Sequence, residues 1–220
     1  MTRAYECLDI LKDSFQFIPD DVIGNIRKYI PVLTDKNIRQ VVDNWCLCGK
    51  RHKRRIEPLY GHISKWDVSR VTDMSQLFLD MKHFNDDISQ WDVSNVTDMS
   101  YMFDNALKFN QPLNDWDVSS VIQMNNMFIK AESFNQPLNS WNVSNVKTME
   151  DMFGLAKSFN QPLNNWNVSS VTNMNHMFCE ARSFNQPLNN WNVSQVTNMV
   201  QMFLGTSFNQ PLNNLSLIHI

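Results

Sequence analysis

The chain has 220 residues and a formal net charge of −3. Charged residues make up 19% and hydrophobic ones 43%, which excludes both a disordered polar tract and a membrane bundle. No apolar run reaches the roughly 18 residues that a membrane helix needs, and neither a P-loop nor a G-x-G-x-x-G pattern occurs.

The opening residues, MTRAYECLDILKDSF, carry acids where the apolar stretch of a leader would stand, which predicts a cytoplasmic protein. Charge is unevenly spread: residues 1–65 hold 12 Lys/Arg against 8 Asp/Glu, a balance of +4, and residues 66–220 hold 7 against 14, a balance of −7. Within the first part, Val22, Ile23, Ile26 and Ile30 share one helical face, and Pro19 before Asp20-Asp21 is a suitable helix start. After Pro31, the spacing of Ile38, Val41, Val42 and Trp45 predicts a second amphipathic helix.

These residues are similar to an F-box, whose pattern opens on Leu-Pro and closes on Val-x-x-x-Trp. Ile18-Pro19, Ile23, Ile26, Ile30, Val41 and Trp45 fall at its positions, while Thr34-Asp35 stands in place of an inner Asp-Leu pair. The resemblance implies docking on a Skp1-type adaptor of a ubiquitin ligase through Ile18, Pro19, Ile23 and Ile26. The same helices read equally well as a cap on the array that follows, since a solenoid needs one at its open end. Cys46, Cys48 and His52 supply three metal-ligand types where a closed zinc site takes four, so no metal is expected. Lys50, Arg51, Lys53, Arg54 and Arg55 form one short basic run without an aromatic platform. That reads as a solvated linker, so no nucleic-acid partner is expected.

Beyond it the chain repeats. Trp66, Trp91, Trp116, Trp141, Trp166 and Trp191 recur every 25 residues, the signature of a stacked array. Val stands two and five residues after each Trp and Met eight after it. A Met-Phe pair, Leu77-Phe78 in the first unit, follows at eleven and twelve. Leu113-Asn-Asp-Trp116-Asp-Val118 alternates as a half-buried strand does. Met124, Met127, Phe128 and Ala131 lie on one face of a short helix. Asp73, Asp98, Asn173 and Asn198 precede the first Met and suit an N-cap; Gln123 and Thr148 suit it less. Pro112, Pro137, Pro162, Pro187 and Pro211 then break each helix. One such unit buries too little to fold alone, so the units must stack.

The pattern LxxWxV, VTxMxxMFxxA, FNQPL, running from about residue 61 to 215, resembles the 25-residue BspA-type leucine-rich repeat of mycoplasma surface proteins, protists and giant viruses. The expected fold is therefore α/β: a right-handed leucine-rich-repeat-like solenoid of about six coils, each a short parallel strand plus a short helix. It divides into an N-terminal helical segment, 1–60, and the solenoid, 61–220. The resemblance implies a binding scaffold without enzymatic activity or cofactor, in a host cytoplasm if the source is viral. Joined to the F-box-like segment, it suggests a ligase adaptor whose repeats hold a target protein; a surface adhesin is the alternative.

On the leucine-rich analogy, the residues flanking each Trp form a concave face for a protein partner. They are Gln90, Asp92, Asp115, Asp117, Ser140, Asn142, Asn165, Asn167, Asn190 and Asn192. The residue after Trp is Asp in the first three units and Asn in the last three, so this face is read either as a basic-ligand site near Asp92, Asp115 and Asp117 or as a solvated surface. The last unit lacks one residue before Phe208 and carries Leu215 in the Trp column. An uncovered edge there is expected to be sticky, unless the array continues. No nucleophile–base arrangement stands out among the scattered His residues.

Overall fold

A computed structural model describes residues 31–46 and 56–212. The predicted second helix is present as α1, Ile38–Cys46, with Ile38, Val41, Val42 and Trp45 buried. The chain is helical again over 56–60, and a single 3-10 turn, Ile63–Lys65, leads into Trp66. Ile18, Pro19, Ile23 and Ile26, together with Cys48, His52 and the basic run, lie outside the described residues.

From Trp66 onward the chain forms six stacked coils, one per 25-residue unit. Positions are counted here from the Trp of each coil. In the first five coils every apolar column is buried: Trp at the start, Val at 2 and 5, Met at 8, Phe at 12 and, from the second coil to the fifth, Ala at 15; in coil six Met199 and Phe203 are half-buried. The expected α/β coil is not what forms. The described residues contain no helix within the coils and no strand; the only sheet-like pairing is a single parallel bridge at position 7, running Asp73, Asp98, Gln123, Thr148, Asn173, Asn198. The right-handed strand–helix crossover falls with those elements.

Tandem turns take their place. The Trp N–H returns to the carbonyl three residues back (Trp116 to Leu113, 3.1 Å), and Val at position 5 does the same to Val at position 2 (Val121 to Val118, 2.9 Å). The Met-Phe segment repeats the three-residue closure in overlapping steps, as in Leu77 to Met74, Leu79 to Gln76 and Met81 to Phe78. These turns need left-handed backbone at positions 10 and 14, and φ is positive there in all six coils. Eleven of these twelve residues are not glycine; none is β-branched, the class for which that conformation is most strained. Asp73, Asp98, Asn173 and Asn198 still act as caps, but on a turn: each side chain accepts from the N–H two residues on, as Asp73 does from Ser75 at 2.8 Å.

Turns make only half of the hydrogen bonds. At positions 8, 10, 12 and 14 the N–H points along the stack to a carbonyl of the next coil (Met74 to Asp98, Gln76 to Ser100, Phe78 to Met102, Asp80 to Asp104, all 2.8–2.9 Å). The pattern recurs at each interface, giving four columns of head-to-tail peptide bonds. From Trp91 on, each indole N–H reaches the carbonyl 28 residues back, as Trp141 does to Leu113 at 2.8 Å, while Trp66 donates to the Gly61 carbonyl. The Asn-Gln motif completes the ladder: the Asn110 side chain accepts from the Asn135 N–H, and that of Asn135 from the Asn160 N–H. Gln136 and Gln161 donate to the Asn carbonyl one coil back.

Aromatic rings fill the interior in two Phe columns. Within a coil the pair is 3.9–4.2 Å apart and stacked, as in Phe103–Phe109 and Phe178–Phe184. Between coils the step is 5.4–5.9 Å along Phe78–Phe203 and 6.3–6.4 Å at the Trp66–Trp91, Trp141–Trp166 and Trp166–Trp191 pairs. Equivalent atoms move furthest where they lie furthest from the stack's axis. The Phe column is therefore nearer that axis than the Trp column.

The front of coil one is covered by residues 31–46. Trp45 meets Trp66 edge-on at 5.6 Å and donates to Asp86 at 2.6 Å. The Asp35 carboxylate accepts from the Thr72 N–H at 2.8 Å, the Asp73 N–H at 3.1 Å and the Thr72 hydroxyl. In later coils the N–H at position 6 is satisfied by the coil before, as Thr97 is by Thr72, so Asp35 substitutes for a missing coil. Burial acts to raise the Asp35 pKa, but these hydrogen bonds, with Arg39 nearby, outweigh it and hold the carboxyl below its ordinary range. A carboxyl depressed in the folded state lends stability above its unfolded pKa and loses it as pH falls. Asp35→Ala is expected to lower stability by about 1 kcal/mol at neutral pH, as loss of a cap does. In urea titrations the gap from wild type should close as the pH drops below about 4; a gap independent of pH would contradict this role.

Candidate partner-binding surface

The ten residues expected to form a concave face are all exposed, flanking the buried indoles. Half of them are engaged in local turns. Asp92 accepts from the Ser94 N–H and hydroxyl at 3.1 and 2.6 Å, and Asp117, Asn142, Asn167 and Asn192 accept likewise from the Ser N–H two residues on. Hydrogen bonding from Ser119 keeps the Asp117 carboxyl below its ordinary range. In the row before the Trp, the Ser140 hydroxyl donates to the Asn114 carbonyl, and the Asn165 and Asn190 backbone N–H groups donate at 3.1 Å to Asn139 and Asn164. Gln90 approaches Ser89 at 3.4 Å. The Trp-Asx-Val-Ser motif thus builds its own corner, and the row after the Trp is monotonous because the corner dictates it.

A different surface carries what is individual to each coil. Position 10 reads Gln76, Tyr101, Asn126, Asp151, His176, Gln201, and position 14 reads Asp80, Asn105, Lys130, Leu155, Glu180, Gly205. All are at least partly exposed. Their backbones are uniform, with N–H groups locked into the columns, while their side chains differ in every step. Positions 9 and 13 vary with them. Packing therefore does not choose these residues. The signal was present in the sequence as coil-to-coil variation inside an otherwise invariant register, and a search for invariant columns passes over it.

Charge on this surface is predominantly acidic: Asp80, Asp104, Glu150, Asp151 and Glu180 face Lys130 as the one Lys or Arg at these four positions. The side chains link along the stack. Asn105 donates to Asp80 at 2.6 Å, the Ser100 hydroxyl to Asn125 at 2.9 Å, and Asn175 to Glu150 at 3.2 Å; a His176 ring nitrogen lies 2.9 Å from the Gln201 side-chain oxygen. Burial pushes the carboxyl of Asp104 up despite Lys130, and that of Asp151 up despite His176, which lies at 3.7 Å. Burial also raises the Cys179 thiol, with Asp151 and Glu180 adding to it, so this cysteine is not an activated thiolate. Among the described residues no group of three or more His, Cys, Asp or Glu is placed to hold a metal ion. Nor is any described helix long and apolar enough to cross a membrane.

The geometry defines a protein of stacked short repeats, with chemistry spread along a face instead of gathered in a cleft. The chain belongs to the family described as Mycoplasma protein of unknown function, DUF285, whose pattern matches residues 52–157 and 139–219. This is the BspA-like repeat family, in agreement with the resemblance carried by the repeat motifs, and neither match extends to the F-box-like residues. No curated protein and no solved structure matches the chain.

Proposed function

We propose that the chain is a non-enzymatic interaction scaffold whose coil-specific surface engages a protein partner. The observation that carries this reading is the division of labour among positions. Side chains that stack coil on coil are nearly the same six times over, while positions 10, 13 and 14 differ at each step, position 9 at every step after Ser75 and Ser100, and the four lie along one acidic strip. Such a strip favours a partner with a basic surface. Tyr101, 36% exposed in the second coil, is among the residue types that most often anchor an interface.

Affinity capture from lysate of the source cells, quantified by mass spectrometry, tests the reading. Tyr101→Ser combined with Asp151→Lys is expected to reduce partner recovery at least about tenfold, the effect of losing one hot spot. Asp92→Lys with Asp117→Lys, beside the indoles, should leave it within about threefold, as rim charges do. The opposite ranking would transfer the binding role to the rows flanking the Trp.

The finer form of the proposal is the adaptor, in which Ile18, Pro19, Ile23 and Ile26 recruit a Skp1-type protein while the coils hold a target. Its support is the motif itself. Recovery of a Skp1-type protein that is lost on Ile18→Asp would sustain it, and absence of that protein from the wild-type capture would end it.

A further inference from the structure

The acidic strip is not uniform along its length. Across coils two to four, three apolar side chains reach its surface: Tyr101 at position 10, Ile129 at 13 and Leu155 at 14, each at least partly exposed. Packing does not choose the residue at these positions, and each of these coils has a described coil on both sides. Gly154 joins the apolar group to the charge. Its φ lies outside the left-handed region, unlike those of Gly61 and Gly205, so the backbone does not require glycine there. Space does: a Cβ would stand 3.0 Å from the Asp151 carboxylate and 3.4 Å from the Ile129 side chain. The missing side chain lets an acid and an apolar group close over one spot. Towards the other end, the Asp104 N–H closes a turn onto the Tyr101 carbonyl at 3.1 Å. Acid therefore brackets an apolar centre. Two coil steps, 5.4 and 5.6 Å in the Phe column, separate the coil of Asp104 from that of Asp151. Beside the strip, positions 16 and 17 carry the exposed Lys82, Lys108, Lys157 and Arg182. Glu132 and Glu180 pair with the last two, while Lys82 and Lys108 have no acid partner among the described residues. A broad basic surface laid on the strip would meet these like charges; a narrow segment would not.

We propose that the strip receives an extended segment of a partner protein in which two basic side chains, about four residues apart, bracket an apolar one. This rests on the reading of the strip as the binding surface and specifies what that surface selects. An extended chain rises about 3.3 Å per residue and turns every second side chain to the same side. Residues i and i+4 then span about 13 Å, within reach of the Asp104 and Asp151 ends for side chains as long as Lys or Arg, and residue i+2 falls on the apolar centre. Apolar contact at the centre with charge at the rim is the arrangement in which binding hot spots form. Lys130, in the coil between the two acids, disfavours a third basic residue at the middle of the segment.

Selection of a random dodecapeptide phage library on the immobilised full chain tests it. The motif basic-x-apolar-x-basic should be enriched at least about tenfold over the input library. A synthetic peptide of the selected sequence should bind at least about tenfold more weakly to Ile129→Ser with Leu155→Ser, and to Asp151→Lys, in variants that keep the wild-type circular dichroism. The proposal is overturned if nothing is enriched, if basic peptides without an apolar centre are enriched equally, if the basic residues lie about seven apart as on a helix spanning the same two steps, or if the double Ser variant binds as wild type does. Should it be overturned while Tyr101→Ser with Asp151→Lys still reduces capture of the cellular partner, the strip remains the binding surface and only the extended segment falls.

Discussion

Trp141→Ala should destabilise the chain by about 3–5 kcal/mol, the range for truncating a large buried aromatic side chain. The ring is 3% exposed, lies parallel to Trp166 at 6.3 Å and packs tilted on Phe128 at 6.4 Å. Truncation also leaves the Leu113 carbonyl without the indole N–H that reaches it at 2.8 Å. Trp141→Phe keeps part of the ring contact and loses that bond, so about 1–2 kcal/mol is expected. Guanidinium titrations followed by circular dichroism give both values. Because the coil sits mid-array, the alanine variant should also split the transition in two, as the halves lose their shared interface. A loss below about 1 kcal/mol would mean that the indole column does not hold the coils together.

The second large effect concerns a polar residue. The Asn135 side-chain oxygen accepts from the Asn160 N–H at 3.0 Å and from the Gln161 amide at 3.1 Å, while its own N–H goes to Asn110. Asn135→Leu keeps the branched shape but strands the partly buried Asn160 N–H and leaves the Gln161 amide only the residue 135 backbone carbonyl, at about 2–3 kcal/mol. Asn135→Asp retains the acceptor and should stay within about 1 kcal/mol of wild type near neutral pH. Thermal denaturation of the two variants side by side is decisive. Equal melting temperatures would show that the ladder is incidental to stability.

The stacking was legible in the sequence because Trp, Val, Met and Phe keep phase over six units, and only superposed coils bury all four columns at once. The local conformation was not. Apolar residues at 0 and 2 fit a strand, but they fit equally well a corner in which Trp and Val turn inward and the intervening Asp or Asn caps the Ser. Likewise, Met124, Met127, Phe128 and Ala131 match a helical face. The same spacing arises when three-residue turns follow one another, since each closure advances the chain by a similar amount. The deciding feature, positive φ at positions 10 and 14, leaves little trace when Gln, Tyr, Lys or Leu occupies the site; Gly205 and, more weakly, Asp80, Asn105, Asn126, Asp151 and His176 are the types that favour it. The helix around Trp45 was readable from its periodicity, yet Asp35 as a stand-in for a missing coil was not. Its partners Thr72 and Asp73 lie 37 and 38 residues away and meet it only once the array exists.

The locked left-handed sites also bear on how such a molecule can diversify. Each coil touches only its two neighbours, so a gene can gain or shed 75 nucleotides at a time, each codon triplet of the unit intact, and keep the remaining junctions undisturbed. Within a unit, mutation can vary the side chain at the two surface sites so long as it is not branched at Cβ, whereas valine, isoleucine and threonine are disfavoured by the backbone before any ligand is consulted. The architecture behaves as a fixed rail with interchangeable studs, its length and its vocabulary set by separate kinds of genetic change.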